Sequence, residues 1–467
     1  MRYVSTRGQA PEMDFNGVLL AGLASDGGLY MPLHWPRFSA ADLKSMRGLS
    51  YPALAAKVIG MFTAGCIEPS ALSAMCQRAY AGFTNKATVP LVQVDTNLYA
   101  LELFHGPTLA FKDMALKLVG HLFEHVLAKS GARVCIVGAT SGDTGSAAIE
   151  AVAGRKGIDI TILHPEGKTS EVQRRQMTTV RAGNVLNLAV AGNFDDCQDL
   201  VKAMFADAPF RDQMQLSAVN SINFARIAAQ IPYYVYAALN LGAPEREVAV
   251  SVPTGNFGNI LAAWAAKQMG VPIAAFIVGS NRNDILTRFL MSNDMTVKDV
   301  TPSLSPSMDI GVSSNFERLL YEFLGRDAAL TAKTMTDFRE SGHMNVSESV
   351  WSAIKREFRG YRLDDEATLR EIAKFYQESQ YLADPHSVIG LAAGRDCAPV
   401  GLPVIAAATA HPAKFPDAIE QAVGIRPALP PHLADLFDRT EIFTRTTADL
   451  EAVETLVRNF ANRNKNG

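Results

Sequence analysis

Three short segments of the chain gather residues able to do chemistry. The first, GATSGDTG at residues 138–145, holds three glycines and three hydroxyls and directly follows the apolar run RVCIV. Glycines let a backbone approach an anion, and Thr140, Ser141 and Thr144 can add hydroxyl donors to the free N–H groups of a helix start. A plain strand-to-helix turn capped by Thr144 needs fewer such residues than stand here. The second, PTGNFGN at residues 253–259, also follows an apolar run, VAVSV, and opens a helical pattern with no early basic residue. Gly255 and Gly258 free the backbone there, and the N–H groups of Asn256, Phe257, Gly258 and Asn259 can converge on one phosphate. An Asn-Gly turn with a helix cap is the bland reading of this loop, and two such loops in one chain weigh against it. Neither loop is a P-loop or a GxGxxG dinucleotide fingerprint.

The third segment, HGPTLAFKD at residues 105–113, leads into a helical pattern over 114–127. A lysine near a helix start is electrostatically odd, because the positive end of the dipole disfavours a cation and tolerates a neutral amine or imine. Most lysines are solvated surface groups, but Ala110 and Phe111 give Lys112 apolar walls. An amine that forms an imine with an aldehyde cofactor is the role that joins Lys112 to a separate phosphate cradle. Pyridoxal 5'-phosphate meets both requirements.

These segments need a scaffold, and the chain has the means to build one. Its 467 residues suggest about three folding units, or two large ones. With 48% apolar and 19% charged residues, much of it must be buried, which excludes disorder as the dominant state. Charges nearly cancel, at 44 Lys plus Arg against 47 Asp plus Glu, with no one-sided block, so neither nucleic acid nor an anionic membrane is expected as a partner. Five scattered cysteines without a CxxC pair fit reduced thiols in a cytoplasm. The apolar stretch at 260–279 is broken by Lys267, Gln268 and Pro272, short of the ~18 residues of a membrane span, and the opening residues carry no signal-peptide pattern.

Short apolar runs at 133–137, 158–163, 185–190, 216–219, 248–252 and 273–278 alternate with helical patterns at 144–152, 170–180, 224–240 and 259–269. Strands buried on both faces and separated by crossovers predict an α/β fold with two mostly parallel open sheets flanked by helices. Residues 1–90 read as an N-terminal accessory lobe and 91–467 as the core. Within it, about 130–225 forms a smaller substrate-side subdomain and about 291–380 a helical insertion. In such sheets ligands gather at the carboxyl ends of strands, where both glycine loops fall.

On this pattern the chain resembles the threonine synthase family of fold-type-II (tryptophan synthase β-like) pyridoxal-phosphate enzymes. The matching segments are YVSTRG (3–8), GLASDGGLYMP (22–32), HGPTLAFKD (105–113), SGDTG (141–145), NSINFAR (220–226), PTGNFGN (253–259), NRNDIL (281–286), SSNFER (313–318), DPHS (384–387) and HPAKF (411–415). They span essentially the whole chain, and STRG and DGGLY separate this family from relatives sharing only the lysine and glycine loops. The resemblance implies a Schiff base at Lys112, Gly255 to Asn259 around the cofactor phosphate, and Thr409 at its ring nitrogen. There a hydroxyl gives a more moderate electron sink than a carboxylate. It implies Ser141, Gly142 and Thr144 at the substrate carboxylate, Asp143 near the cofactor's phenolic oxygen, and Asn220, Ser221 and Arg226 at a substrate phosphate. The implied activity is a carbon–oxygen lyase acting on O-phospho-L-homoserine, with loss of the γ-phosphate and hydration at the β-carbon giving L-threonine and phosphate.

Two other readings compete with this one. His121-Leu-Phe-Glu124-His125 fits the HxxEH zinc-protease pattern, but no third acidic ligand announces itself, and Leu118, Leu122 and Val126 already make that helix a core stripe. Another fold-type-II enzyme, such as a threonine or serine dehydratase, would share Lys112 and a glycine loop.

Overall fold

The structure, a computed structural model, describes residues 1–140, 142–217 and 221–466, with side chains up to residue 464. It comprises two compact units: Met1–Leu19 with Leu23–His105 and Ser221–Pro427, and Leu20–Gly22 with Gly106–Asn220 and Ala428–Gly467.

The first unit is built on a six-stranded sheet in the order Phe358–Arg362, Ile273–Ser280, Val248–Pro253, Val404–Ala408, Leu98–Glu102, Leu91–Asp95. All neighbours are parallel except the last pair, a hairpin. Val248–Pro253 and Val404–Ala408 are buried along their whole length, as central parallel strands must be. Helix Pro385–Cys397 packs on them through glycine: a Cβ on Gly390 would lie 2.7 Å from Pro253 Cδ, and the Ser251 hydroxyl donates to the Gly390 carbonyl at 2.6 Å. An N-terminal ladder pairs Tyr3–Ser5 with Tyr30–Pro32.

Two expectations change here. The helix read over 224–240 is two helices, Phe224–Ala228 and Ile231–Asn240, because Pro232 lacks the N–H that would continue the first. The region 291–380 is not wholly helical. Between helices Glu348–Glu357 and Asp365–Ser379 it supplies the edge strand Phe358–Arg362, whose sequence FRGYR carries no strand signature and is fixed by pairing with Ile273–Ser280.

The second unit holds five parallel strands in the order Thr444–Thr447, Val185–Ala191, Ile158–Pro165, Val134–Ala139, Leu216–Ser217. Helices Lys112–Ser130 and Asp143–Val152 lie so close that a Cβ on Gly120 would sit 2.3 Å from the Ala151 carbonyl oxygen. Among the described residues no helix is long and apolar enough to cross a membrane.

Candidate active site

In the second unit, Lys112 is the first residue of its helix, and the turn before it is locked by the next residue. Asp113 accepts the Thr108 N–H at 2.8 Å and the Thr108 hydroxyl at 2.7 Å, and Gly106 is glycine because its Cβ would strike the Asp113 carboxylate at 2.5 Å. Gln176 adds a hydrogen bond to the Thr108 carbonyl at 3.1 Å. The Lys112 amine lies 3.6 Å from Asp143 Oδ2, with both side chains nearly buried.

Asp143 opens the helix that follows the 138–145 loop. Its Oδ1 accepts from Gln173 Nε2 at 2.8 Å, and the Ser170 hydroxyl holds the other end of that amide at 3.0 Å while accepting from the Gln173 N–H. Gly142 sits at φ +147°, and its Cβ would lie 2.4 Å from the Gln173 amide carbon. Gln173 therefore fills the space that a side chain at 142 would need. No sequence reading singled it out, since it lies thirty residues from its partner on a polar-faced helix.

Thr140 turns inward. Its hydroxyl accepts the N–H groups of Gly142 and Gly145, both at 2.9 Å, so it shapes the loop and takes up the Gly142 N–H. Thr144 stands half-buried in the first helical turn. Ser141 and Asn220 lie outside the described residues.

In the first unit, the loop 253–259 leaves strand Val248–Pro253 and opens helix Gly258–Gln268. Phe257 occupies the left-handed region at φ +62°, which costs a non-glycine residue about 1 kcal/mol and is held by its buried ring against Phe316. The loop meets the N-terminus of helix Gly258–Gln268, where free N–H groups and the helix dipole favour an anion. Gly255 is closed in by Ser307, whose carbonyl would lie 2.8 Å from an added Cβ. Ser313 donates to the Gly255 carbonyl at 2.8 Å, and Asn259 accepts from the Tyr233 hydroxyl at 3.0 Å and from that of Tyr234.

Thr409 follows strand Val404–Ala408, and its N–H is held at 2.8 Å by Ser387 Oγ, which in turn donates to Asp384. His386, between them, accepts the Ser307 N–H at 3.2 Å. The DPHS segment thus supports both Thr409 and the wall of the glycine loop.

Arg226 sits in the short helix Phe224–Ala228 and is 5% exposed, yet among the described residues its Nε and Nη1 have no hydrogen-bond partner. Burial pulls its pKa down to about 10, which still leaves it cationic at neutral pH. A buried, unpaired guanidinium calls for an anion. Ser221 stands half-buried nearby in the chain, its hydroxyl 3.2 Å from that of Ser314.

These residues fit a phosphorylated aldehyde cofactor. Each unit offers one feature of the kind such a cofactor needs: the 255–259 loop stands at a helix N-terminus, where Asn259 keeps a buried Nδ2 without a partner in the described residues, and Lys112 in the other unit is a nearly buried amine. The HxxEH segment does other work: His121 Nδ1 lies 2.9 Å from Arg155 Nη1, which donates to Glu124 at 2.7 Å. Among the described residues no group of three or more His, Cys, Asp or Glu could hold a metal ion.

Comparison with known proteins agrees with this chemistry. The chain matches the family profile for pyridoxal-phosphate dependent enzymes over residues 84–403, that for the threonine synthase N terminus over 2–80, and that for the threonine synthase C-terminal region over 387–457. It is 52% identical to a threonine synthase of Pseudomonas aeruginosa over 100% of both chains. Its structure superposes on the PLP-bound threonine synthase of Brucella melitensis with TM-score 0.97, at 50% identity over 99% of each chain. On yeast threonine synthase the TM-score is 0.92, at 38% identity over 99% of this chain and 98% of that one.

Proposed function

The chain belongs to the threonine synthase family of pyridoxal-phosphate-dependent enzymes, and on that premise we propose that its substrate is O-phospho-L-homoserine, converted with water to L-threonine and phosphate. It is a pyridoxal-phosphate-dependent lyase of fold type II. The observation that carries the substrate reading is Arg226: a second anion site, buried and cationic, apart in sequence from the glycine cradle at 255–259. A dehydratase acting on an unphosphorylated amino acid has no use for it.

In this reading Gly255, Asn256, Phe257, Gly258 and Asn259 hold the cofactor phosphate, Thr409 faces the ring nitrogen, and Asp143 faces the phenolic oxygen. When bound, pyridoxal phosphate supplies an electron sink that acidifies hydrogens at the substrate's α-carbon and then at its β-carbon. Lys112 takes the α-proton and gives it up before taking a β-proton, which it returns to the γ-carbon after phosphate departs. Water adds at the β-carbon and a proton returns to the α-carbon, so the atoms balance as substrate plus water giving threonine plus phosphate.

Arg226, with Ser221 and Asn220, binds the γ-phosphate and carries its charge as the carbon–oxygen bond breaks. Ser141 and Thr144 hold the α-carboxylate, whereas the Gly142 N–H expected to join them is spent on the Thr140 hydroxyl. Asp143 is fixed by Gln173 beside the Lys112 amine. The cytoplasm is the expected compartment, and none of the five cysteines forms a disulfide.

The direct test is phosphate release from O-phospho-L-homoserine by the purified protein and by Lys112→Ala. We expect release by the former only. Equal rates would refute the assignment.

A further inference from the structure

The segment SSNFER, residues 313–318, has no role in the reaction as derived, yet it touches both phosphate-binding stretches of the first unit. Asn315 is fully buried, and its side-chain amide spends both donors on backbone carbonyls: Asn256 at 2.9 Å, in the glycine cradle, and Ser221 at 3.0 Å, in the stretch leading to Arg226. Its own N–H adds a bond to the Asn256 carbonyl at 3.1 Å, and its Oδ1 accepts from Arg318. Ser314 repeats the bridge with its hydroxyl, which donates to Asn256 Oδ1 at 3.1 Å and lies 3.2 Å from Ser221 Oγ. Arg318, also fully buried, donates to the Ile222 carbonyl at 2.6 Å and to the Tyr30 carbonyl at 3.1 Å.

Every polar group of the Asn315 side chain is thus committed. Inside a dry, close-packed region, one loop cannot shift without leaving a donor unmet or dragging the other along. We infer that Ser314 and Asn315 are positioning residues that couple the two phosphate sites, so that filling the 255–259 cradle orders the 221–226 stretch for the substrate's phosphate. This rests on the roles proposed above for those two stretches. Coupling of this kind is reciprocal: an anion at Arg226 must in turn hold the cofactor more tightly.

The experiment uses holoenzyme and inorganic phosphate. Phosphate binding is measured by calorimetry, and loss of cofactor into an aldehyde trap is followed by visible absorbance with and without saturating phosphate. In the parent protein phosphate should slow cofactor loss by about tenfold, within the usual range for coupled sites. In Ser314→Ala and in Asn315→Asp, which keeps the side chain's shape and its acceptor for Arg318, the slowing should fall below about twofold while holoenzyme still forms. In Arg226→Met phosphate should neither bind nor slow the loss. Phosphate that fails to bind the parent holoenzyme, or binds Arg226→Met equally, overturns the assignment of Arg226. Phosphate that binds through Arg226 yet leaves cofactor loss unchanged, or slows it equally in parent and Ser314→Ala, overturns the coupling alone.

Discussion

The amine of Lys112 and the carboxylate of Asp143 face each other at 3.6 Å, and the second oxygen of that carboxylate is tied to Gln173 at 2.8 Å. A carboxylate held at both ends cannot swing away from the amine, so Gln173 sets the direction in which Asp143 acts.

Replacing Gln173 by Met should leave this carboxylate one donor short. A bond to a charged group contributes about 1.5–3 kcal/mol, so we expect turnover to fall by roughly 10- to 100-fold, with cofactor content retained. Gln173→Glu places a second carboxylate beside Asp143, and like charges at that distance keep one proton between them. Its deficit should deepen as pH rises and that proton is lost. Steady-state phosphate release across pH checks both variants.

Arg226 should weigh on stability and serve binding. A buried cation with no ion pair among the described residues is costly, so Arg226→Met should stabilise the apoprotein at neutral pH by about 1–3 kcal/mol while raising KM for O-phospho-L-homoserine about 100-fold. Its pKa is lowered on folding, to about 10. Above that pH the folded chain sheds a proton that the unfolded chain still keeps, and stability from this group rises with pH. The advantage of the Met variant should therefore shrink above about pH 10. Denaturant unfolding at several pH values, with and without inorganic phosphate, measures both effects, and phosphate should protect only the parent protein.

Two glycines of one loop should differ. An added Cβ at Gly255 meets the Ser307 backbone at 2.8 Å, whereas at Gly258 its nearest contact is Ile227 Cδ1 at an ordinary 3.4 Å. Gly255→Ala must displace backbone, so its cofactor affinity should fall by at least about tenfold. Gly258→Ala should keep the parent's melting temperature in the apo form. Reconstitution of apoprotein with pyridoxal phosphate and thermal unfolding compare the pair.

The STRG segment should matter for stability. Arg7 grips Glu317 through two bonds, at 3.0 and 2.8 Å, and Thr6 adds a third at 2.6 Å, all buried. Arg7→Ala leaves a buried carboxylate without its cation and should cost about 3–5 kcal/mol. Exchange of both partners for apolar residues of similar size should recover most of that loss in urea unfolding.

Much of this protein is written in local pattern. The strands Val134–Ala139, Ile158–Pro165, Val248–Pro253 and Ile273–Ser280 lie where continuous apolar runs place them, because burial on both faces leaves a mark that needs no partner to be read. Lys112 at a helix start and the two glycine loops after apolar strands are likewise local facts.

Pairing is different in kind. FRGYR becomes the edge strand Phe358–Arg362 only because Ile273–Ser280 offers it a free side, and no periodicity within five residues encodes that choice. Gln173 matters through Asp143, thirty positions earlier, and Asn315 through Ser221 and Asn256, 94 and 59 positions away. The sequence alone names the candidate atoms, since residue type and neighbouring backbone single out an amine, a glycine loop and a guanidinium. Which groups aim those atoms was decided by the tertiary structure, because a side-chain hydrogen bond depends on distance in space, and distance along the chain carries no trace of it.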